Sequence, residues 1–251
     1  DLAEGLASRG IAVLRYEKRT RAYAAKLKDA KPGDINLETE VIDDALATLE
    51  LGRKQAEIDP KRVFVLGHSL GASVAPEIAR RDGKLAGAIL LAAASRPPDQ
   101  IVLDQLGYLS KHDPGQTEAI AKMLPELETQ FAQLRAGRLE LDAKIMGAPV
   151  AYWNSWLAFD PVKVATRIPG TPMFIARGSR DYQVVDVDAA RFRDALKARS
   201  NVTFHDYPSL NHLFIPGEGV SIPAEYLKRG FVDEQVIGDL VKWIRSTAPS
   251  Q

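Results

Sequence analysis

The chain has 251 residues, enough for one large domain whose core needs neither disulfides nor a structural metal. Thirty-three basic residues balance thirty-three acidic ones, so composition gives no reason to expect nucleic acid or an acidic membrane surface as a partner. The absence of cysteine excludes disulfides, thiolate metal sites and a cysteine nucleophile, and leaves every cellular compartment open.

Leu2, Ala3, Leu6 and Ala7 recur at helical spacing, and Gly10 is placed to close that helix. Ile11-Ala12-Val13-Leu14 then reads as a buried strand running out into the charged loop Arg15–Thr20, either a solvated strand end or a set of substrate contacts. Past the breaker Lys31-Pro32-Gly33-Asp34, the residues Val41, Ile42, Ala45, Leu46 and Leu49 mark one face of a helix starting near Thr39. Val63-Phe64-Val65-Leu66 is the next strand, and it leads into Gly67-His68-Ser69-Leu70-Gly71. A β-branched run, this glycine-flanked serine and a following stretch of small residues predict a sharp strand-to-helix turn with Ser69 at its tip. Gly67 and Gly71 are both expected to be there for want of a Cβ. The helix is expected to reach about Arg81, kinked at Pro76, and Ala86–Ala92 is the continuous apolar run of a strand buried on both faces.

From Ser95 to about Gly170 the alternation of strand and helix stops. Ile101, Val102, Gln105, Leu106 and Leu109 fit one helix; Ile120, Met123, Leu124, Leu127, Phe131 and Leu134 fit another that bends or restarts at Pro125. Residues 96–169 therefore read as a helical cap or lid inserted into a core formed by 1–95 and 170–251. The aromatic group Tyr152, Trp153, Trp156 and Phe159 either packs that insertion or walls a pocket. Pro172–Gly178 restores the strand pattern, the loop Ser179–Val184 follows, and Asp186 or Asp188 is placed to cap a helix carrying Ala189, Phe192 and Leu196. Val202–Tyr207 is a fifth strand and ends in the loop Pro208–Phe214; Val236, Ile237, Leu240, Val241 and Ile244 then define a last helix bounded by Pro249. The whole predicts an α/β fold, a mostly parallel sheet flanked by helices.

A serine hydroxyl is too weak an acid to attack an acyl group alone; it needs an imidazole to take its proton and a carboxylate to hold that imidazole in one tautomer. Ser69, Asp181 and His212 occur in the order serine, acid, histidine, each just past the carboxyl end of a predicted strand, where residues distant in sequence converge. Asp186 and Asp188 are rivals for the acid but read better as helix caps. Of the other histidines, His205 lies within a strand and His112 within the insertion, while His68 precedes the serine in its turn and is expected to shape the pocket.

Gly67-His68-Ser69-Leu70-Gly71, the Gly178–Asp181 loop continuing as Tyr182-Gln183-Val184, and Leu210-Asn211-His212-Leu213-Phe214 together resemble the α/β-hydrolase superfamily over essentially the whole chain. Within it the resemblance is to bacterial serine esterases related to dienelactone hydrolases and to the catalytic domains of prolyl-oligopeptidase-type enzymes. It implies cofactor-free and metal-free hydrolysis of a small-molecule carboxylic ester through an acyl-enzyme. Ser69 would be nucleophile, His212 general base and then acid, Asp181 the orienting carboxylate and the Leu70 N–H one oxyanion donor. His68, Arg96, Trp153 and Trp156 are candidate substrate contacts, a structural salt bridge being the alternative for Arg96. A prolyl-oligopeptidase-type peptidase and a non-catalytic, hydrolase-like binding protein stand as alternative functions. In such enzymes the second oxyanion donor comes from a loop after an earlier strand, and Ile11–Leu14 resembles the strand that follows that loop. The resemblance thus leads to the expectation that the N-terminal strands and the second donor lie upstream of Asp1, in a longer enzyme.

Overall fold

The computed structural model describes residues 1–25 and 30–247; Pro249, expected to bound the last helix, lies outside them. The helices are α1 (Leu2–Ala7), α2 (Arg19–Ala22), α3 (Asp43–Arg53), α4 (Leu70–Asp82), α5 (Pro98–His112), α6 (Thr117–Arg135), α7 (Val150–Leu157), α8 (Pro161–Thr166), α9 (Asp186–Leu196) and α10 (Glu234–Thr247). The strands are β1 (Phe64–His68), β2 (Gly87–Leu91), β3 (Lys144–Ile145), β4 (Ala148–Pro149), β5 (Met173–Gly178) and β6 (Val202–Tyr207). Contacts divide the chain into one unit of Asp1–Tyr16, Ala45–Ser95 and Pro161–Gln251 and a second of Glu17–Asp44 and Arg96–Asp160. The second unit thus takes in the segment before α3 as well as the insertion, and residues 161–169 pack with the sheet.

In the first unit β1, β2, β5 and β6 form a parallel sheet in that order. Strands added in one direction with crossovers of one hand place their connecting helices on one face. That face is the cluster of Ala72, Ala75 and Ala79 from α4, Ala165 from α8, and Phe192 and Leu196 from α9, packed on Ala88, Leu90, Met173 and Ile175. The alternate strand residues point the other way, as a two-residue period requires. There Phe64 and Phe174 each meet the Trp243 ring of α10 edge-on at 5.8 Å. All residues of β2 are buried, the signature of a central parallel strand covered on both faces.

The expectation of a strand at Ile11–Leu14 is not met: the segment carries no regular structure, and Val13 and Leu14 are 40% and 54% exposed. A β-branched run becomes a strand only where a neighbouring edge takes up its backbone groups. Among the described residues no strand pairs with it or with the outer edge of β1. α4 and α6 run on through Pro76 and Pro125, so of the bend or restart expected at Pro125 the restart is absent.

The second unit packs around Leu127, Phe131, Leu134, Ile145, Val150 and Trp153. It also holds a hairpin that pairs Ile145 with Ala148, turning through Met146 at φ 50° and Gly147 at φ 80°. Two successive left-handed residues are what a tight hairpin turn demands. Arg19 leaves the charged loop to pair with Asp44, Nε to Oδ2 at 3.0 Å and Nη2 to Oδ1 at 2.5 Å.

Candidate active site

β1 ends at His68, α4 begins at Leu70, and Ser69 between them has φ 56° and ψ −120°. Such a conformation costs a non-glycine residue about 1–3 kcal/mol and persists only where its flanks are fixed. Both are: Ser69 N donates to the Leu91 carbonyl at the end of β2 at 2.9 Å, and the Ser69 carbonyl accepts from Ser73 N at 3.0 Å. Serine at a helix N-cap ordinarily turns its hydroxyl back onto the first turn. Ser69 makes no such bond, which leaves Oγ for other chemistry. Leu70 N, the first amide of α4, adjoins it at the positive end of the helix.

Of the two glycines flanking the serine, Gly67 is the one the turn has no room to replace. A Cβ there would stand 2.1 Å from the Gly71 carbonyl oxygen and 2.5 Å from Ala72 N, backbone atoms that cannot rotate away. A Cβ on Gly71 would meet nothing within 4 Å, which corrects the expectation that both glycines are sterically required.

The loops that carry Asp181 and His212 are packed backbone on backbone. Gly178 closes β5 so near the other loop that a Cβ would stand 2.2 Å from the Leu210 carbonyl oxygen, and Arg180 N donates to that same oxygen at 3.0 Å. Asp181 and His212 are thereby brought together: His212 Nδ1 lies 2.7 Å from Asp181 Oδ2, with both side chains buried. Asp181 Oδ1 accepts from Gln183 N at 2.7 Å and Val184 N at 3.0 Å, so the carboxylate has no freedom to turn. Since a carboxylate oxygen accepts, His212 Nδ1 carries the proton of this contact.

His68 also holds His212. Its Nε2 lies 2.8 Å from the His212 carbonyl oxygen, which can only accept, so Nε2 carries the proton. The two imidazoles are 4.7 Å apart, and Ser69 follows His68 in the chain. Burial, and after it the neighbouring His212, push His68 below the ordinary imidazole value, so it stays a neutral donor. No hydrogen bond joins Ser69 Oγ to His212 Nε2 among the described residues; such contacts commonly tighten only around substrate.

The remaining candidates have partners of their own. Asp186 pairs with Arg177 at 3.0 Å. Asp188, fully buried, accepts from Ser95 N at 2.8 Å, while its own carbonyl accepts from Ser95 Oγ at 3.0 Å. Neither is a cap, because the N-cap of α9 is Val185, whose apolar side chain makes no capping bond. His205 stacks between Phe174 and Tyr207 and faces Asp239 at 3.5 Å; His112 packs against Tyr108 with the rings tilted in the second unit. Arg96 forms an ion pair with Asp104, the structural alternative to substrate contact. Trp153 corrects the pocket-wall reading: it is 4% exposed, its Nε1 donates to the Ile145 carbonyl at 3.1 Å, and Phe131 and Trp156 pack on it. Trp156 stacks on Trp153 at 6.1 Å within the same cluster. Asn211 and Phe214, quoted from the sequence only as neighbours of His212 in its motif, shape the His212 loop. Asn211 Oδ1 accepts from Leu213 N and Ile215 N, and Phe214 takes φ 58° with its ring 6.3 Å from that of His68.

A serine held at positive φ where a parallel strand enters a helix, with an acid–histidine pair past two later strands, agrees with what sequence comparison finds. Residues 2–219 match the profile of the alpha/beta hydrolase family. The chain belongs to that family. A curated relative, Esterase EstD of Thermotoga maritima, is 38% identical over 244 residues, covering 97% of this chain and 56% of that protein. The chain thus spans little more than half the length of this hydrolase relative. Among solved structures, a sugar hydrolase (YeeB) from Lactococcus lactis aligns with TM-score 0.58 at 14% identity, over 98% of this chain and 80% of its own. The alpha/beta hydrolase GrgF from Penicillium sp. sh18 aligns with TM-score 0.53 at 14% identity, over 86% and 74%. At such identities the likeness is one of hydrolase fold.

Proposed function

We propose that the protein hydrolyses small carboxylic esters through an acyl-enzyme on Ser69. Ser69 Oγ attacks the ester carbonyl carbon while His212 Nε2 takes its proton, and Asp181, bonded to Nδ1, steadies the imidazolium that forms. The Leu70 N–H donates to the developing oxyanion, and the tetrahedral adduct collapses as Nε2 returns the proton to the departing alkoxide. Water then repeats the sequence on the acyl-enzyme, releasing the carboxylic acid and restoring Ser69.

The observation that carries this reading is the buried 2.7 Å contact between Asp181 and His212 Nδ1, which leaves Nε2 facing away from the carboxylate, together with a strained serine whose hydroxyl makes no capping bond. The esterase named among the relatives favours an ester over an amide as substrate. The test is a panel of p-nitrophenyl esters and aminoacyl anilides offered to the full-length protein. Esters are expected to turn over and anilides not, with Ser69→Ala and His212→Ala both reduced to the uncatalysed rate. Parent-like turnover in Ser69→Ala, or cleavage of anilides alone, overturns the proposal.

A further inference from the structure

Behind the acid and base lies a polar cluster that the mechanism leaves unused. We propose that Glu225 is a positioning residue that holds Asp181 and His212 in register, an inference that rests on the catalytic reading above. Glu225 lies in the 3-10 turn Pro223–Leu227. Its carboxylate joins the residue before the acid to the residue before the base. Oε1 accepts from Arg180 Nη2, and Oε2 accepts from Asn211 Nδ2 at 3.2 Å and Ser221 Oγ at 3.1 Å.

The network admits one orientation. Asn211 Oδ1 is occupied by Leu213 N at 3.0 Å and Ile215 N at 3.1 Å, so Asn211 presents only its NH2 to Glu225. Arg180 likewise has only donors, and further anchors the segment by donating from Nε to the Gly219 carbonyl and from Nη2 to the Glu218 carbonyl, each at 3.0 Å. Groups that can donate thus approach both oxygens, and only a carboxylate accepts from all of them. Burial raises the Glu225 pKa, but the hydrogen bonds from Arg180, Asn211 and Ser221 outweigh it and hold the group below the usual carboxylate value. A glutamine would set its own NH2 against Arg180 or Asn211 and push one loop from the other. Because Gly178 already touches the Leu210 backbone, the loops have no slack to absorb that displacement.

The experiment compares Glu225→Gln with the parent in the full-length protein, using ester kinetics, labelling by a fluorophosphonate and the downfield proton resonance of His212 Nδ1–H. Glu225→Gln is expected to lower kcat by about 10- to 100-fold with KM within about twofold, since an ångström of misalignment costs on that order. The His212 resonance should shift or broaden, and Glu225→Asp should recover part of both effects. Asp82→Asn is the control: it breaks the Arg53–Asp82 ion pair (2.5 Å), remote in sequence from these loops, and should lower the unfolding midpoint without changing kcat. A parent-like kcat and an unmoved resonance in Glu225→Gln overturn the inference, as does a loss matched by Asp82→Asn. If Glu225→Gln does not fold, Ser221→Ala removes one donor and should move the resonance in the same sense, with kcat down about three- to tenfold; an unmoved resonance there also overturns it. Failure of the parent to react with fluorophosphonate would count against the catalytic reading instead, and the resonance would still report whether Glu225 holds the pair.

Discussion

Replacing Gly67 with alanine tests whether the serine turn is as tight as its geometry implies. The new Cβ would lie 2.1 Å from the Gly71 oxygen, 2.3 Å from the Gly71 carbonyl carbon and 2.5 Å from Ala72 N, all backbone atoms of the first turn of α4. Ordinary van der Waals contact begins at 3.4 Å, so β1 and the start of α4 must separate by about 1 Å. Overpacking on this scale costs about 1–3 kcal/mol, and each kcal/mol lowers the melting temperature of a domain this size by about 2–4 °C. The same displacement moves Ser69, and an ångström at the reacting group costs about 100-fold in rate. Gly71→Ala is the matched comparison, because its Cβ meets nothing within 4 Å and alanine favours a helix over glycine by about 0.5–1 kcal/mol. Thermal unfolding and fluorophosphonate labelling should show Gly67→Ala melting lower and reacting about 100-fold slower, and Gly71→Ala melting no lower than the parent. A Gly67→Ala protein that melts and reacts like the parent would refute the close approach of strand and helix.

Three further outcomes follow from the same geometry. In Asp181→Asn the amides of Gln183 and Val184 should keep the side-chain oxygen, turning the new NH2 toward His212 Nδ1 and forcing the proton to Nε2; ester turnover should fall by about 1,000- to 10,000-fold with the circular dichroism unchanged. Trp153→Ala should cost about 3–5 kcal/mol in urea unfolding while leaving KM for a short ester within about twofold, since the ring fills the second unit's own core. A raised KM at parent stability would return Trp153 to the substrate pocket. For pH, His68 binds a proton less readily folded than unfolded, so the unfolded chain holds more protons and this contribution to stability is complete above the unfolded value of 6.5 and lost as pH falls below it. His68→Gln should flatten that part of the acid limb in urea titrations at successive pH values; an unchanged slope would show that His68 titrates alike in both states.

The parts legible in the sequence were those set by local pattern. The β-branched run before Gly67 and the small residues after Ser69 mark a strand-to-helix turn, and chain order with strand ends suffices to bring Asp181 to His212. What pattern could not convey depends on partners distant in sequence. Ile11–Leu14 has the composition of a strand, but an unpaired run has no reason to adopt one. The hairpin at Met146-Gly147 carries no clear turn signal, because methionine is not the asparagine or aspartate that ordinarily announces such a turn. Asp188 looked like a cap, since it stands in the first turn of α9, yet its carboxylate serves the Ser95 backbone 93 residues away in sequence. Glu225 carries no signal of its own; only the approach of the acid and base loops gives it a place.

The central claim is that Ser69 is the activated nucleophile, and the most direct measurement is the site of covalent modification. A fluorophosphonate applied to the full-length protein should add to the peptide containing Ser69, as read by mass spectrometry, and the adduct should vanish in Ser69→Ala and fall to background in His212→Ala. A label on a different residue, or one that persists in Ser69→Ala, would contradict the account.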